Sequence, residues 1–347
     1  MTHLTKILFR VDADTRIGLG HLRRCLSLAA ALRQHGSECA FLTNSDHVVD
    51  NHLKASGFLH HTMDRAERSD SADVKQVIDA AMRNSSRIVI VDSYDAKDDH
   101  LSALRNAGFY VVAIDDLARF PFPCQLVVNG GAHARQLPYN SSTGDTRFLL
   151  GPEYALLSPE FWKSHSRKVR ESVGNILVVM GGTDKYNLTP RLLRALDKLA
   201  GDFTMTAVIG PFFHDRAVVK CVAKDCRRPV RTLDAPKSLH AALIETDIAV
   251  SAGGQTLYEL AATGTPSVAI LTADNQANSL NALAIRGAVI PAGSGSDVHL
   301  TDIVFEAVLR LIQDTEIRIK MSETGRWLVD GQGALRTARV VAAQENG

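Results

Sequence analysis

The chain predicts an α/β fold made of two doubly wound, Rossmann-like domains with parallel sheets. Three observations carry this. Short apolar runs alternate with helical patterns from end to end, which is the plan of an α/β domain. The runs are continuously apolar, as strands covered on both faces are. The opening plan of strand, glycine loop and helix is also repeated from Asn175 onward, without any repeat of the sequence itself. A length of 347 residues fits two domains.

In the first half the strand-like runs are 6–11, 39–43, 87–91, 110–114 and 126–128. In the second half they are 175–180, 204–209, 247–250, 267–271 and 288–290. After the first strand, GLGHLRRCLSLAAALRQHG (18–36) reads as a glycine loop and an amphipathic helix. Leu22, Cys25, Leu26, Ala29 and Leu32 fall on one helical face, and Gly36 stands where a helix-terminating glycine belongs. The stretch from 158 to 174 is charged and lacks strand character. It separates a first domain, 1–160, from a second, 173–330, and leaves 331–347 as a final helix expected to cross back to the first domain. Two such domains facing each other would place the carboxyl ends of both sheets on a central cleft, where open α/β sheets bind ligands.

Composition narrows the function. A net charge of +1 implies no polyanionic partner, so nucleic acid is not expected. No apolar run approaches the length of a bilayer span, so stable membrane insertion is not expected. The opening MTHLTKILFRVDAD turns charged and strand-like too early for a secretion signal, which predicts a cytoplasmic protein. The five cysteines, Cys25, Cys39, Cys124, Cys221 and Cys226, are odd in number and scattered, so no disulfide framework is expected. Cys221 and Cys226 have no second ligand pair for zinc. No metal and no cofactor are expected, and nothing calls for more than a monomer.

The loops after the strands carry the chemistry. Gly18 and Gly20 lead into His21 at a helix start, where backbone N–H groups can meet an anion and an imidazole can accept a proton near neutral pH. Arg24, one turn on, is placed either to pair with a carboxylate or to reach a phosphate. Asp12 and Asp14 follow the first strand. With no accompanying ligand cluster, a metal role is disfavoured, and Asp12 is expected to orient His21. Three further loops, carrying Asp92 with Tyr94, Asp115 with Asp116, and Asn129, suggest a polar pocket wall.

In the second half Gly181 and Gly182 end a strand, and Thr189 with Pro190 reads as a helix N-cap followed by proline. That pair is explained as well by a tight turn as by phosphate contact. SAGGQTLYELAATGTPSVAILTADNQ (251–276) says more. Gly253 and Gly254 precede a helix that begins near Gln255 or Thr256, a suitable place for a diphosphate. Glu259 lies one turn on, where a carboxylate can accept ribose hydroxyls, and Asn275 and Gln276 offer two amides to a sugar.

At these residues the chain resembles the UDP-2,4-diacetamido-2,4,6-trideoxy-β-L-altropyranose hydrolases of pseudaminic acid biosynthesis, which have the GT-B fold. The resemblance runs from about residue 6 to about 280 through RVDADTRIGLGHLRRC, VDSYD, AIDDLARF, LVVNGG, FLLGPEYALLSPEFW, GGTDKYNLT and the 251–276 segment. It implies that His21 is the general base for water and that Tyr94 lines the sugar pocket; Asp12 is expected beside them from its place after the first strand. It implies UDP as the nucleotide, with Glu259 on its ribose and Gly253, Gly254 and Thr256 at the diphosphate; Gln255, Gly181 and Gly182 are expected on the same nucleotide side from their places after the strands. Asn275 and Gln276 match the family's pair near the sugar, and Gly20 and Asn129 are expected there too from their loops. The sequence departs from its relatives at VNGGAHAR, where a second amide is often kept.

Two rival functions share the same residues: a GT-B glycosyltransferase with an acceptor other than water, and a non-catalytic nucleotide-sugar-binding module. A histidine base in the glycine loop argues against the module. A nicotinamide-dependent dehydrogenase is disfavoured because the first loop lacks the full Gly-x-Gly-x-x-Gly spacing.

Overall fold

A computed structural model describes residues 5–13, 19–44, 46–63, 70–163 and 167–346. The chain divides into two compact units, residues 1–162 with 331–347, and residues 163–330.

The first unit opens with β1 (Lys6–Val11), α1 (Gly20–Gln34), β2 (Glu38–Asn44), α2 (His47–Ser56) and β3 (Leu59–Met63). It continues through α3 (Asp70–Arg83), β4 (Ile88–Asp92), α4 (Asp98–Asn106) and β5 (Tyr110–Ile114) to β6 (Leu126–Asn129) and β7 (Arg147–Leu150). The seven strands form one parallel sheet in the order β3-β2-β1-β4-β5-β6-β7. The order reverses between β1 and β4. Such a switch point leaves a crevice beyond the strand ends, because the crossovers on its two sides run to opposite faces.

The second unit contains β8 (Asn175–Val179), α5 (Leu188–Leu196), β9 (Thr204–Ile209), α6 (Arg216–Asp225), β10 (Val230–Asp234) and α7 (His240–Glu245). After these come β11 (Ile248–Ala252), α8 (Thr256–Ala262), β12 (Ser267–Leu271), α9 (Ala277–Ile285) and β13 (Ile290–Ser294), then α10 (Leu300–Gln313) and α11 (Thr315–Leu328). Its parallel sheet has the order β10-β9-β8-β11-β12-β13, with the switch between β8 and β11. The last helix, α12 (Gly333–Ala342), belongs to the first unit, where it packs on α1. Its approach needs glycine: Gly331 has φ +81°, and a Cβ there would overlap the Phe161 carbonyl.

Burial explains which strands the sequence announces. β4 and β11 are buried at every position, and in each unit alternate strand residues, mostly Val, Ile, Leu and Ala, gather in a core on one sheet face. Fully burying one such side chain contributes about 1.5–3 kcal/mol. The three strands not expected from the sequence are β3, β7 and β10, and all three lie at sheet edges. Each keeps polar residues and partial exposure (LHHTM, RFLL, VRTLD), because an edge strand faces solvent and needs no unbroken apolar run. The other edge, β13, starts at Ile290, at the end of the expected run 288–290, and tolerates Pro291, which has no N–H to donate.

In α1, Leu22, Cys25, Leu28, Ala29 and Leu32 are fully buried. Leu26, expected on that face, is only partly covered, and Leu28 takes its place. Gly36 ends the turn after the helix with φ +88°. No described helix is long and apolar enough to cross a membrane.

Candidate active site

The switch point of the first unit collects the polar residues. His21 stands on the first turn of α1, after β1, and Asp92 is the last residue of β4, which pairs with β1. The His21 Nδ1 lies 2.5 Å from Asp92 Oδ1. A contact that short between ring nitrogen and carboxylate requires a proton between them, so Nδ1–H donates, and when the ring is neutral its lone pair resides on Nε2. Among the described residues Nε2 has no hydrogen-bond partner. The imidazole is therefore oriented from behind by Asp92.

Arg24 braces this pair. Its Nε donates to Asp92 Oδ2 at 2.6 Å and its Nη2 to Oδ1 at 2.6 Å, while Nη1 reaches both oxygens of Asp116 at 2.9 and 2.8 Å. The Cys25 thiol adds a fourth donor to Asp92, at 3.3 Å. Asp92 is fully buried. Burial alone would raise its pKa, but the charge of Arg24, then that of His21, and the hydrogen bonds from both hold the carboxyl well below the usual range. Burial likewise opposes the Arg24 charge, and Asp116 and Asp92 outweigh it. Burial, joined by the Asp92 charge, pushes the Cys25 thiol well up, so it stays protonated. Arg24 thus takes the carboxylate-pairing role of the two open to it.

Tyr94 closes the near side. Its ring meets the His21 ring edge-on, with centroids 4.7 Å apart, and its hydroxyl donates to Asp116 Oδ2 at 2.9 Å. From the β5 loop Arg119 donates to the Tyr94 carbonyl at 3.1 Å. The two adjacent aspartates of that loop divide their work. Asp116 joins the site, whereas Asp115 accepts from the Leu117 and Ala118 amides and from the Tyr139 hydroxyl, closing its own turn.

Two expectations are corrected here. Asp12 does not orient His21, because Asp92 holds that position. Asp12 instead accepts from Arg10 Nη1 at 2.8 Å, Asn44 Nδ2 at 3.1 Å and the Ser93 hydroxyl. Asn129 is not presented to a sugar. It is 1% exposed, its Oδ1 accepts the Gly131 amide at 2.7 Å, and its Nδ2 donates to Tyr139 at 2.8 Å. Gly20 begins α1, and an added Cβ there would meet no described atom within 4 Å. Asp14 and Gly18 lie outside the described residues. Among the described residues no cluster of three or more His, Cys, Asp or Glu side chains is placed to hold a metal.

In the second unit both glycine pairs follow the strands that flank the switch point, since Val179 of β8 pairs with Ser251 of β11. At the Gly181–Gly182 turn the backbone favours glycine at 181, and packing requires glycine at 210. Gly181 has φ +75°, and a Cβ on Gly210 would stand 2.4 Å from the carbonyl oxygens of both glycines. Thr189, expected as the N-cap of α5, lies inside its first turn. The N-cap position is held by Asn187, which makes no side-chain cap; the carboxylate of Asp184, three residues earlier, accepts from the Leu188 and Thr189 amides at 2.7 and 2.9 Å instead. After β11, Gly253 lies beneath the Gln276 side chain, whose Oε1 is 3.1 Å from the position a Gly253 Cβ would take. That oxygen accepts from the amide and hydroxyl of Thr272, both at 3.1 Å, so it ties its own loop together. The neighbouring Asn275 is exposed. Gln255 directly precedes α8, Thr256 is its first residue, and Glu259 lies in its first turn, half-buried.

No protein-family model matches the chain. It is 27% identical over 282 residues to the uncharacterized protein MJ1062 of Methanocaldococcus jannaschii, covering 76% of this chain and 55% of that one. It is 27% identical over 202 residues to the spore coat polysaccharide biosynthesis protein SpsG of Bacillus subtilis, covering 57% and 59%. It is 26% identical over 197 residues to the UDP-2,4-diacetamido-2,4,6-trideoxy-beta-L-altropyranose hydrolase of Campylobacter jejuni, covering 56% and 66%. The chain thus spans 55 to 66% of the length of these relatives. Among solved structures, Acinetobacter baumannii MurG matches with a TM-score of 0.71 at 16% identity, covering 97% of this chain and 99% of that one. The S. aureus MnaA-UDP co-structure matches at 0.63 and 14% identity, covering 99% and 97%. The fold is GT-B-like, with two doubly wound α/β domains.

Proposed function

We propose that the protein hydrolyses a UDP-activated 2,4-diacetamido-2,4,6-trideoxy sugar, releasing UDP by attack of water at the anomeric carbon. The Asp92–His21 pair carries this reading. A buried carboxylate fixes one ring proton and leaves Nε2 basic, which is what activation of water requires and binding alone does not. The name of the Campylobacter relative supplies the substrate class.

In the proposed step Nε2 of His21 takes a proton from water as the water oxygen bonds to the anomeric carbon. The carbon–oxygen bond to the diphosphate breaks, and UDP departs with the electron pair. A nucleoside diphosphate is already a stable anion, so it does not need the acid that an alkoxide leaving group needs. The reaction therefore calls for one base, no cofactor and no metal. Asp92 stabilises the imidazolium that forms, while Arg24 and Asp116 keep the carboxylate in place. Tyr94 packs against the ring and borders the sugar. Glu259 is assigned to the ribose and Gly253, Gly254, Gln255 and Thr256 to the diphosphate, with Gly181 and Gly182 shaping the adjoining turn. Asn275 and the amide nitrogen of Gln276 are assigned to sugar substituents.

The test is release of UDP from that sugar nucleotide with chelator present and no acceptor. Rapid release supports the reading. Tight UDP binding without release would overturn it in favour of a glycosyltransferase that needs its acceptor.

A further inference from the structure

Asp12 is a buried carboxylate beside the site that does not touch His21, and its hydrogen bonds show where it acts. One oxygen is taken by Arg10 and Asn44, and Arg10 is held from its other side by Asp73 at 2.6 Å. The other oxygen accepts the hydroxyl proton of Ser93. With its one proton given to Asp12, Ser93 turns its lone pairs to the Asp95 amide at 3.1 Å and the Ala96 amide at 3.3 Å. A serine that accepts from the amides two and three residues on closes a tight turn. Tyr94 lies inside that turn, directly after Ser93 and two residues after Asp92.

We propose that Asp12 and Ser93 are positioning residues that hold the 93–96 turn so that Tyr94 meets His21 and Asp116. This rests on the hydrolase reading for its effect on turnover, though not for its effect on the turn. The physical reason is directional. A hydroxyl can rotate, and an unconstrained Ser93 proton could point anywhere. A buried carboxylate, ionised because Arg10 and its own hydrogen bonds outweigh the cost of burial, accepts that proton in one direction only. The lone pairs are thereby aimed at the two amides. Arg119 holds the Tyr94 carbonyl separately, so the turn is fixed at both the Ser93 hydroxyl and the Tyr94 backbone. The role expected of Asp12 from its place in the sequence is thus replaced by an indirect one.

The test uses the full chain with Ser93→Ala, Ser93→Thr and Asp12→Asn. Ser93→Ala is the principal variant, because Asp12→Asn also disturbs the buried Arg10 charge. Ser93→Ala is expected to lower kcat about tenfold or more, the scale of losing a hydrogen bond to a charged group. UDP affinity is expected to stay near wild type, and the thermal midpoint to fall by a few degrees, because the buried Asp12 carboxylate loses one donor. Amide hydrogen exchange across 93–96 is expected to speed up by a similar factor, and Ser93→Thr, which keeps the hydroxyl, to restore both. In a Tyr94→Ala background Ser93→Ala is expected to cost no further turnover. Unchanged exchange in Ser93→Ala would overturn the proposal, as would full additivity with Tyr94→Ala. If the unaltered protein releases no UDP, the hydrolase reading fails on its own, and the exchange measurement still decides whether Asp12 and Ser93 hold the turn.

Discussion

Replacing Asp92 by asparagine tests the site at its centre. The carboxylate accepts four donors, from His21, twice from Arg24, and from Cys25, and it is fully buried. An asparagine is nearly the same size, but it can accept only through one end. Arg24 donates one N–H to each oxygen, so either turn of the amide sets its NH2 against an Arg24 donor, and with the NH2 in the Oδ1 place it also faces His21. The ring then accepts at Nδ1, its proton moves to Nε2, and the base lone pair no longer faces water. Loss of the correct tautomer in a comparable carboxylate–histidine pair lowers turnover about 10⁴-fold, so a fall of about 10³–10⁴ is expected here. Removing one partner of a buried ion pair costs about 3–5 kcal/mol. Arg24 keeps Asp116, which places this variant at the lower end. The assay is UDP release under saturating substrate, with urea unfolding in parallel. Turnover within about threefold of wild type, in a variant that is folded, would refute the assignment of Asp92 as the group that sets the His21 tautomer.

His21→Ala is expected to lose orders of magnitude in turnover while its UDP dissociation constant, measured by calorimetry, stays near wild type; near-normal turnover would remove His21 as the base. The depressed Asp92 carboxyl makes stability pH-dependent with a defined sign. The unfolded chain binds that proton near the ordinary carboxylate value of about 4, and the folded chain only at lower pH. The stabilisation is therefore present above that value and is lost as pH falls toward the depressed one. Urea midpoints between about pH 6 and pH 3 should decline more steeply in the wild type than in Asp92→Asn, and parallel curves would contradict this. Gly210→Ala forces a methyl group against two backbone carbonyls. It should destabilise the second unit by about 1–3 kcal/mol, seen as a lower melting temperature; an unchanged melt would show that the Gly181–Gly182 turn yields without cost.

The amino-acid sequence by itself determined the α/β class and the central strands. A strand covered on both faces must be apolar along its covered length, and that is a local property of composition, legible in runs such as IVIV at 88–91. It also marked the glycine loops, because close backbone turns leave few alternatives to glycine. It did not announce β3, β7 and β10, whose pairing depends on a neighbour rather than on their own residues. Nor could it tell which carboxylate serves His21. Asp12 is near in the chain, whereas Asp92 is 71 residues away. Only the switch point of the sheet, which lays β4 beside β1, brings Asp92 to the imidazole. The same holds for the adjacent Asp115 and Asp116, alike in sequence, of which one closes a turn and the other faces Arg24. Propensity and burial are written residue by residue. Hydrogen-bond partners across a parallel sheet are set by strand order, and that order arises only when the whole sheet assembles.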